Sequence, residues 1–224
     1  MVRIPRILTI VALAMVITSG LASNGSAASM SWGGQVFGGF DTFKMGDWND
    51  AIDAANAGGS TFDNVNSGYS FGLGPTLTVN GTWQLGAHFE MLMGKKSEDA
   101  TSGQTLSPSS NAFGVSAMYL FPSKSSMSFG LGGAVDYMTL TGKIDDPTTS
   151  AKIEGSGVGG QLLGMTNYAF SPMFSGSLTA GYRLANINID KVGGASTTGS
   201  PLQSEDYSGV IARVGISFHQ PSHN

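Results

Sequence analysis

The chain has 224 residues, 33 of them Gly and none Cys, and 12% are charged, about half the share of an ordinary globular protein. The missing Cys excludes a disulfide-stapled scaffold and a thiolate metal site, and the sparse charge excludes a charged coiled coil. A net charge of −4 and a pI near 5.2 argue against nucleic acid as a partner, because a binder would show a basic stripe.

The first segment reads as an export signal. Arg3 and Arg6 precede an apolar run over 7–17, and small residues continue to Ala28. A positive start, a short apolar stretch and the small residues Ser26, Ala27 and Ala28 make a secretory signal peptide over 1–28, cleaved after Ala22 or Ala28. The run is shorter than the roughly 17–25 residues of a membrane-spanning helix. An exported chain without Cys suits a bacterial envelope better than a eukaryotic ectodomain.

Beyond it the chain alternates. The first alternating segment, 32–43, is noisy, because Phe37 and Phe43 fall on its polar side. Residues 47–57 then break the pattern as a short helix, with Asp47 as its N-cap and Trp48, Ile52 and Ala55 at i, i+4 and i+7. This helix packs on the mouth of the fold as a lid, or it offers Trp48 to a partner or to lipid headgroups. From Tyr69 to Val79 every odd residue is apolar or Pro, while the even ones are Gly, Ser or Thr. Asn80-Gly81 is a strong hairpin signal, and Trp83, Leu85, Ala87, Phe89, Met91 and Met93 continue the apolar parity. Five more segments, near 113–121, 127–137, 158–170, 174–184 and 210–218, repeat it. Period 2 sustained over such lengths is strand. The pattern predicts eight strands of about ten to fifteen residues.

Connections alternate too. Asn80-Gly81, 122–126 and 171–173 are tight, whereas 45–68, 95–110, 142–156 and 190–207 are long and polar. Short turns at one end and long loops at the other describe an all-β, antiparallel up-and-down barrel in an outer membrane, over 29–218, with 219–224 as a short periplasmic tail. A soluble lipocalin-type barrel is the rival, with its apolar face inside and charge outside. Here the apolar parity holds no Asp, Glu, Lys or Arg, and the polar parity is mostly Gly, Ser and Thr. Large uncharged residues suit lipid, and small ones suit a narrow lumen. Trp32, Trp83, Tyr119, Phe121, Phe129, Tyr168, Phe170, Phe174 and Phe218 gather on the apolar parity at the tight-turn end as an aromatic girdle. Phe40, Tyr69, Phe71, Tyr137 and Tyr182 lie toward the other end.

With these features the chain resembles the small bacterial outer-membrane β-barrels, such as the transmembrane domain of the OmpA family and its OmpX- and OmpW-type relatives. The ending Val214-Gly215-Ile216-Ser217-Phe218 is similar to the terminal-strand signal read by the barrel-assembly machinery. The resemblance implies an outer-membrane location with periplasmic termini, four external loops, and contact with lipid and lipopolysaccharide.

Chemistry concentrates on the lumen parity. Asp41, His88, Glu90, Asp136, Arg183 and Arg213 all face inward by register. Buried charges must pair, so Arg183 and Arg213 are expected to contact Asp41, Glu90 and Asp136 as a lumen charge network. Lumen glycines such as Gly72, Gly74 and Gly86 leave room for a solute path, whereas Leu163, Met138 and Met165 occupy it. No catalytic set, metal site or cofactor motif emerges. The Gly155–Gly160 match to a phosphate loop precedes a strand, so no helix N-terminus awaits a phosphate. A lipid-modifying barrel enzyme needs Ser, His and an acid near a strand end, while His219 and His223 lie past the last predicted strand. The loop acids Asp145, Asp146, Glu205 and Asp206 read as solvated, with divalent-cation binding as the sharper alternative. The sequence thus predicts a structural or surface-interaction barrel with a filled lumen and an unknown extracellular partner; the alternative is a narrow porin-like channel for small or apolar solutes.

Overall fold

The computed structural model describes residues 29–145, 150–196 and 204–220. The export signal over 1–28, Asp146 and residues 221–224 lie outside these. In chain order the long strands are β1 (Met30–Thr42), β2 (Ser67–Val79), β3 (Trp83–Gly94), β4 (Ser109–Phe121), β5 (Met127–Asp145), β6 (Ser150–Ala169), β7 (Phe174–Val192) and β8 (Gly209–His219). Each pairs antiparallel with its chain neighbour. β8 then returns to β1, setting Gly33 opposite His219 and Asp41 opposite Ile211. The eight strands close into a ring with no open edge, the one form in which a sheet can face hydrocarbon. His219 belongs to β8, one residue beyond the expected end. At the first tight turn Asn80 (φ 52°) and Gly81 (φ 64°) adopt the paired left-handed conformation that Asn-Gly favours.

Three strands are longer than their sequence suggests. β5, β6 and β7 run 19, 20 and 19 residues, so the flanks of the expected loop over 142–156 are ladder. The cause is a reversal of polarity along each strand. Toward the tight turns, Leu131 and Val135 on β5, Leu162 and Val158 on β6, and Leu178 and Leu184 on β7 point outward and are exposed. Past Tyr137, Val158 and Leu184 the outward positions become Lys143, Lys152, Glu154, Asn186 and Asn188, and the inward ones become Met138, Leu140, Ile153, Ile187 and Ile189. The lower barrel is apolar outside and mixed inside, with polar groups beside the buried Met118, Leu163 and Ile211; the upper barrel carries polar residues outside around an apolar core. Alternation survives the switch, so pairing continues.

The long connections fold onto this upper barrel. Thr105–Ser107 pairs with Lys143–Asp145 of β5, and Ser204–Asp206 pairs with Asn186–Asn188 of β7. The one helix among the described residues, α1 (Gly46–Ala57), lies across the long-loop end. Phe43, Met45, Trp48, Ile52 and Val65 descend from it and its flanks, joined by Tyr207 from the last connection, into a core with Leu92, Leu140, Ile153 and Ile187.

The reversal makes a position-dependent prediction. Leu162→Arg, on the lower barrel, should destabilise the folded protein by about 2–4 kcal/mol. Asn188→Arg, on the same outer surface past the reversal, should cost under about 0.5 kcal/mol. Urea unfolding in lipid vesicles measures both; equal costs would show that the apolar zone does not end where the pattern switches.

Candidate functional site

The lumen cluster is built by register. β1, β3, β5, β7 and β8 each place one or two ionisable side chains on the inner face at one level, and β6 adds Gln161. Arg183 Nη2 donates to Glu90 Oε2 at 2.7 Å, and its Nη1 lies 3.4 Å from Asp41 Oδ1. Arg213 Nη2 stands 2.6 Å from Glu90 Oε1 as an ion pair, off the line of a hydrogen bond. Its second approach, to Asp41, is looser at 3.9 Å. Glu90 is therefore clamped between two guanidiniums, and Arg183, Glu90 and Asp41 are all buried.

Asp136 is arranged differently from the expectation, because neither arginine reaches it as an ion-pair partner. Its Oδ1 lies 2.9 Å from His88 Nε2, and its Oδ2 accepts from Gln161 Nε2 at 2.6 Å. Gln161 Oε1 in turn accepts from Arg213 Nη1 at 3.1 Å. The amide thus bridges the His88–Asp136 pair to the arginine clamp, which joins all six ionisable residues into one cluster. Gly114 leaves the space: a Cβ there would collide with Asp136 Oδ1 and the His88 ring. Phe37 explains the noise in the first strand. Its ring faces the lumen, with the Arg213 guanidinium 5.0 Å from the centroid and His88 edge-on. Gly72 on β2 supplies the room for that ring, so this glycine accommodates a side chain and leaves no gap.

On the tight-turn side of the cluster lies a small cavity of about 60 Å³, where Gln35, Gln84 and Arg213 share the lining with Met118, Leu163 and Met165. On the other side is the apolar core beneath α1. Trp48 and Ile52 are both buried there, with the Trp48 ring against Gly142. The predicted N-cap is corrected: Met45 holds that position in left-handed conformation (φ 42°) without a side-chain cap, and Asp47 sits inside the first turn. Met45 can occupy it because its side chain is buried and its N–H donates to Asp206 O. The polar face of α1 fixes the returning chain. Asn49 exchanges two hydrogen bonds with the Val65 backbone, and Asn56 does the same with Phe62.

The loop acids separate. Asp206 is half-exposed and lies 3.9 Å from Lys44, and Asp145 accepts from Ser150 at 2.6 Å. Glu205, by contrast, is buried, beside Asp47 and Trp48 at the start of α1. Burial, with added repulsion from Asp47, pushes its carboxyl up to about 8. Among the described residues no cluster of three metal-ligating side chains occurs. At the tight-turn end the aromatic residues form contacting rings: Trp83 with Tyr119, Tyr119 with Phe121, Tyr168 with Phe170, and Phe174 with Phe218. Trp32 and Phe129 stand exposed in the same zone. Nearby, Ser175 Oγ and His219 Nε2 are 3.0 Å apart.

Sequence reasoning missed Gln161, Phe37 and Glu205. Each carried a faint signal, as an amide or ring on the lumen parity, or an acid two residues from an aromatic that the core claims.

No protein-family model matches the chain, and no curated protein does. Solved structures do. A major outer membrane protein from Thermus thermophilus is similar at 11% identity and a TM-score of 0.58, over 87% of this chain and all of that one. Neisserial surface protein A aligns at 15% identity with a TM-score of 0.49, over 86% of this chain and 99% of that one. OprG from Pseudomonas aeruginosa aligns at 14% and 0.42, covering 88% and 97%. This chain has the fold of the small bacterial outer-membrane barrels.

Two outcomes test the energetics. Glu90→Gln leaves two buried guanidiniums with Asp41 as their one carboxylate partner, and should lower stability by about 3–5 kcal/mol in urea unfolding; a loss below about 1 kcal/mol would mean the clamp is energetically idle. Glu205 acts with the opposite pH sense to a salt-bridged acid. Its acid form is favoured in the closed lid, so lid stability is full below pH 4.5 and declines toward pH 8, by about 1.4 kcal/mol per pH unit. At about pH 8.5 Glu205→Gln should slow hydrogen exchange of the α1 amides at least roughly tenfold relative to the parent, and the gap should narrow toward about pH 5.

Proposed function

We propose that the protein is an outer-membrane surface barrel, closed to ions, whose working face is the lidded long-loop end. The observation that carries this reading is the stacking of two unlike seals across one narrow lumen. The ionic clamp around Glu90 fills the level of β1, β3, β7 and β8, and the apolar core under α1 fills the level above it. An ion crossing the barrel would have to break buried charge pairs and then enter a zone lined by Leu, Ile and Met, where a bare charge is strongly disfavoured.

Residence in the outer membrane is supported by the exposed apolar belt, with Leu162 70% and Leu184 63% accessible and no charged residue among them. Export follows from the segment 1–28. The terminal segment 214–218 on β8 is the element the barrel-assembly machinery would read. In this orientation both termini and the tight turns are periplasmic, the aromatic girdle lies at the inner headgroups, and the four long connections meet lipopolysaccharide and the exterior. Ser175 and His219 have no carboxylate partner among the described residues, so a hydrolytic triad is not part of this reading.

The deciding experiment is planar-bilayer recording of the refolded protein at neutral pH and at about pH 5. Inserted protein should give a silent trace at both. Steady ohmic openings would overturn the closed barrel and make Asp41, Glu90, Asp136, Arg183 and Arg213 the lining of a narrow channel.

A further inference from the structure

We infer that the lid holds a binding site for a small, neutral, single-ring aromatic molecule, taken up from the water phase at the long-loop end. The site is a pocket of about 160 Å³ between α1 and the upper barrel. Trp48, Ile52 and Ala55 form one wall, Leu106 closes one side, and Ile144 of β5 with Ile153 of β6 form the other wall. This pocket shares no lining residue with the cavity below the charge cluster.

The concavity is written into the helix. Ala51 and Ala55 occupy successive turns of one face of α1, where its neighbours Trp48 and Ile52 are large and buried. Two alanines at i and i+4 leave a groove that a Leu or Phe at either position would fill. Around it Met45, Trp48, Ile52, Val65 and Tyr207 are packed to near-zero exposure, so this space is not a general looseness of the loops.

Size and lining select the occupant. A volume of about 150 Å³ is room for one benzene-sized ring, and this pocket is open on its solvent side. Among the described residues no charged side chain lines the pocket, and Gln104 is the one side-chain amide among its lining residues. That is the usual composition of a small-molecule site, mostly apolar with few polar groups. An ionised ligand would lose its hydration without a counter-charge. The source is solvent and not a lipid tail. Ile144 lies seven residues past Tyr137, the last aromatic of the outward apolar parity on β5, which is roughly 20 Å farther along the strand.

Trp48 reports on its own pocket once Trp32→Phe and Trp83→Phe remove the other two tryptophans. In lipid nanodiscs, phenol should change Trp48 emission saturably, with half-saturation in the millimolar range or below, while benzoate at neutral pH should give no saturable change. Ala55→Leu should weaken the phenol response at least tenfold while far-ultraviolet dichroism and heat-modifiable gel mobility stay unchanged. Should Ala55→Leu misfold, Ala51→Leu fills the same groove from the more exposed position. A response that is linear and equal in parent and filled variants would reduce the effect to partitioning into lipid and overturn the site. Equal binding of benzoate, or of hexanol in place of phenol, would overturn the assigned ligand class. None of these readouts depends on whether the barrel conducts.

Discussion

A sheet that crosses hydrocarbon cannot leave one N–H or C=O unpaired, and every other feature of this barrel follows from how that constraint is met. Pairing of β8 with β1, from Gly33–His219 to Asp41–Ile211, closes the ring. Closure with only eight strands makes the lumen narrow, so whatever faces inward must interlock across it. The inner face therefore mixes glycines with a few large polar groups. Gly114 exists opposite the His88–Asp136 pair, and Gly72 opposite the Phe37 ring, because two full side chains cannot meet at those levels.

The same narrowness turns isolated charges into a cluster. Asp41, Glu90, Asp136, His88, Arg183 and Arg213 come from five strands, and no two of them sit closer than two residues apart in sequence. None could be buried alone. Together they share partners through Glu90 and Gln161, and the geometry of each depends on the presence of the rest. Such an arrangement contributes modestly to stability as a whole while being costly to break at one member. It fixes strand register across the barrel, because a one-residue slip would send a charge into lipid.

How much of this was legible in the sequence depends on whether the signal was periodic or spatial. Eight strands, the tight Asn80-Gly81 hairpin and the inward parity of all six ionisable residues are one-dimensional patterns and can be read directly. The apparent noise at Phe37 and Phe43 was information about the third dimension: one ring stacks on Arg213, and the other packs on Tyr207 beneath the lid. Opposite charge points Asp136 toward an arginine, but parity fixes only the face, not the depth or azimuth around the barrel. Gln161 could not be told from an ordinary filler for the same reason. The strands β5 to β7 were cut short because the outward face turns polar past Tyr137 and Val158, which looks like the start of a loop when only one face is followed. Reading both faces shows the apolar parity crossing from outside to inside, with Ile144, Ile153, Ile187 and Ile189 continuing the period.

That crossing has a consequence for the lid. A barrel whose upper rim is lined with Ile and Leu cannot stay open to water without exposing an apolar patch. The rim must be covered, and the first connection supplies the cover: α1 brings Trp48 and Ile52 down, while Asn49 and Asn56 tie the returning chain to its polar side. Glu205 is the misfit in that cover, a carboxyl buried at the helix start beside Asp47. An acid held neutral under a lid costs little when protonated and progressively more as its open form ionises. The cover therefore weakens toward alkaline water, opposite to an element held by a salt-bridged acid. Lid opening would uncover the core and the pocket beside Trp48 while leaving the contacts between Glu90 and the two arginines below intact.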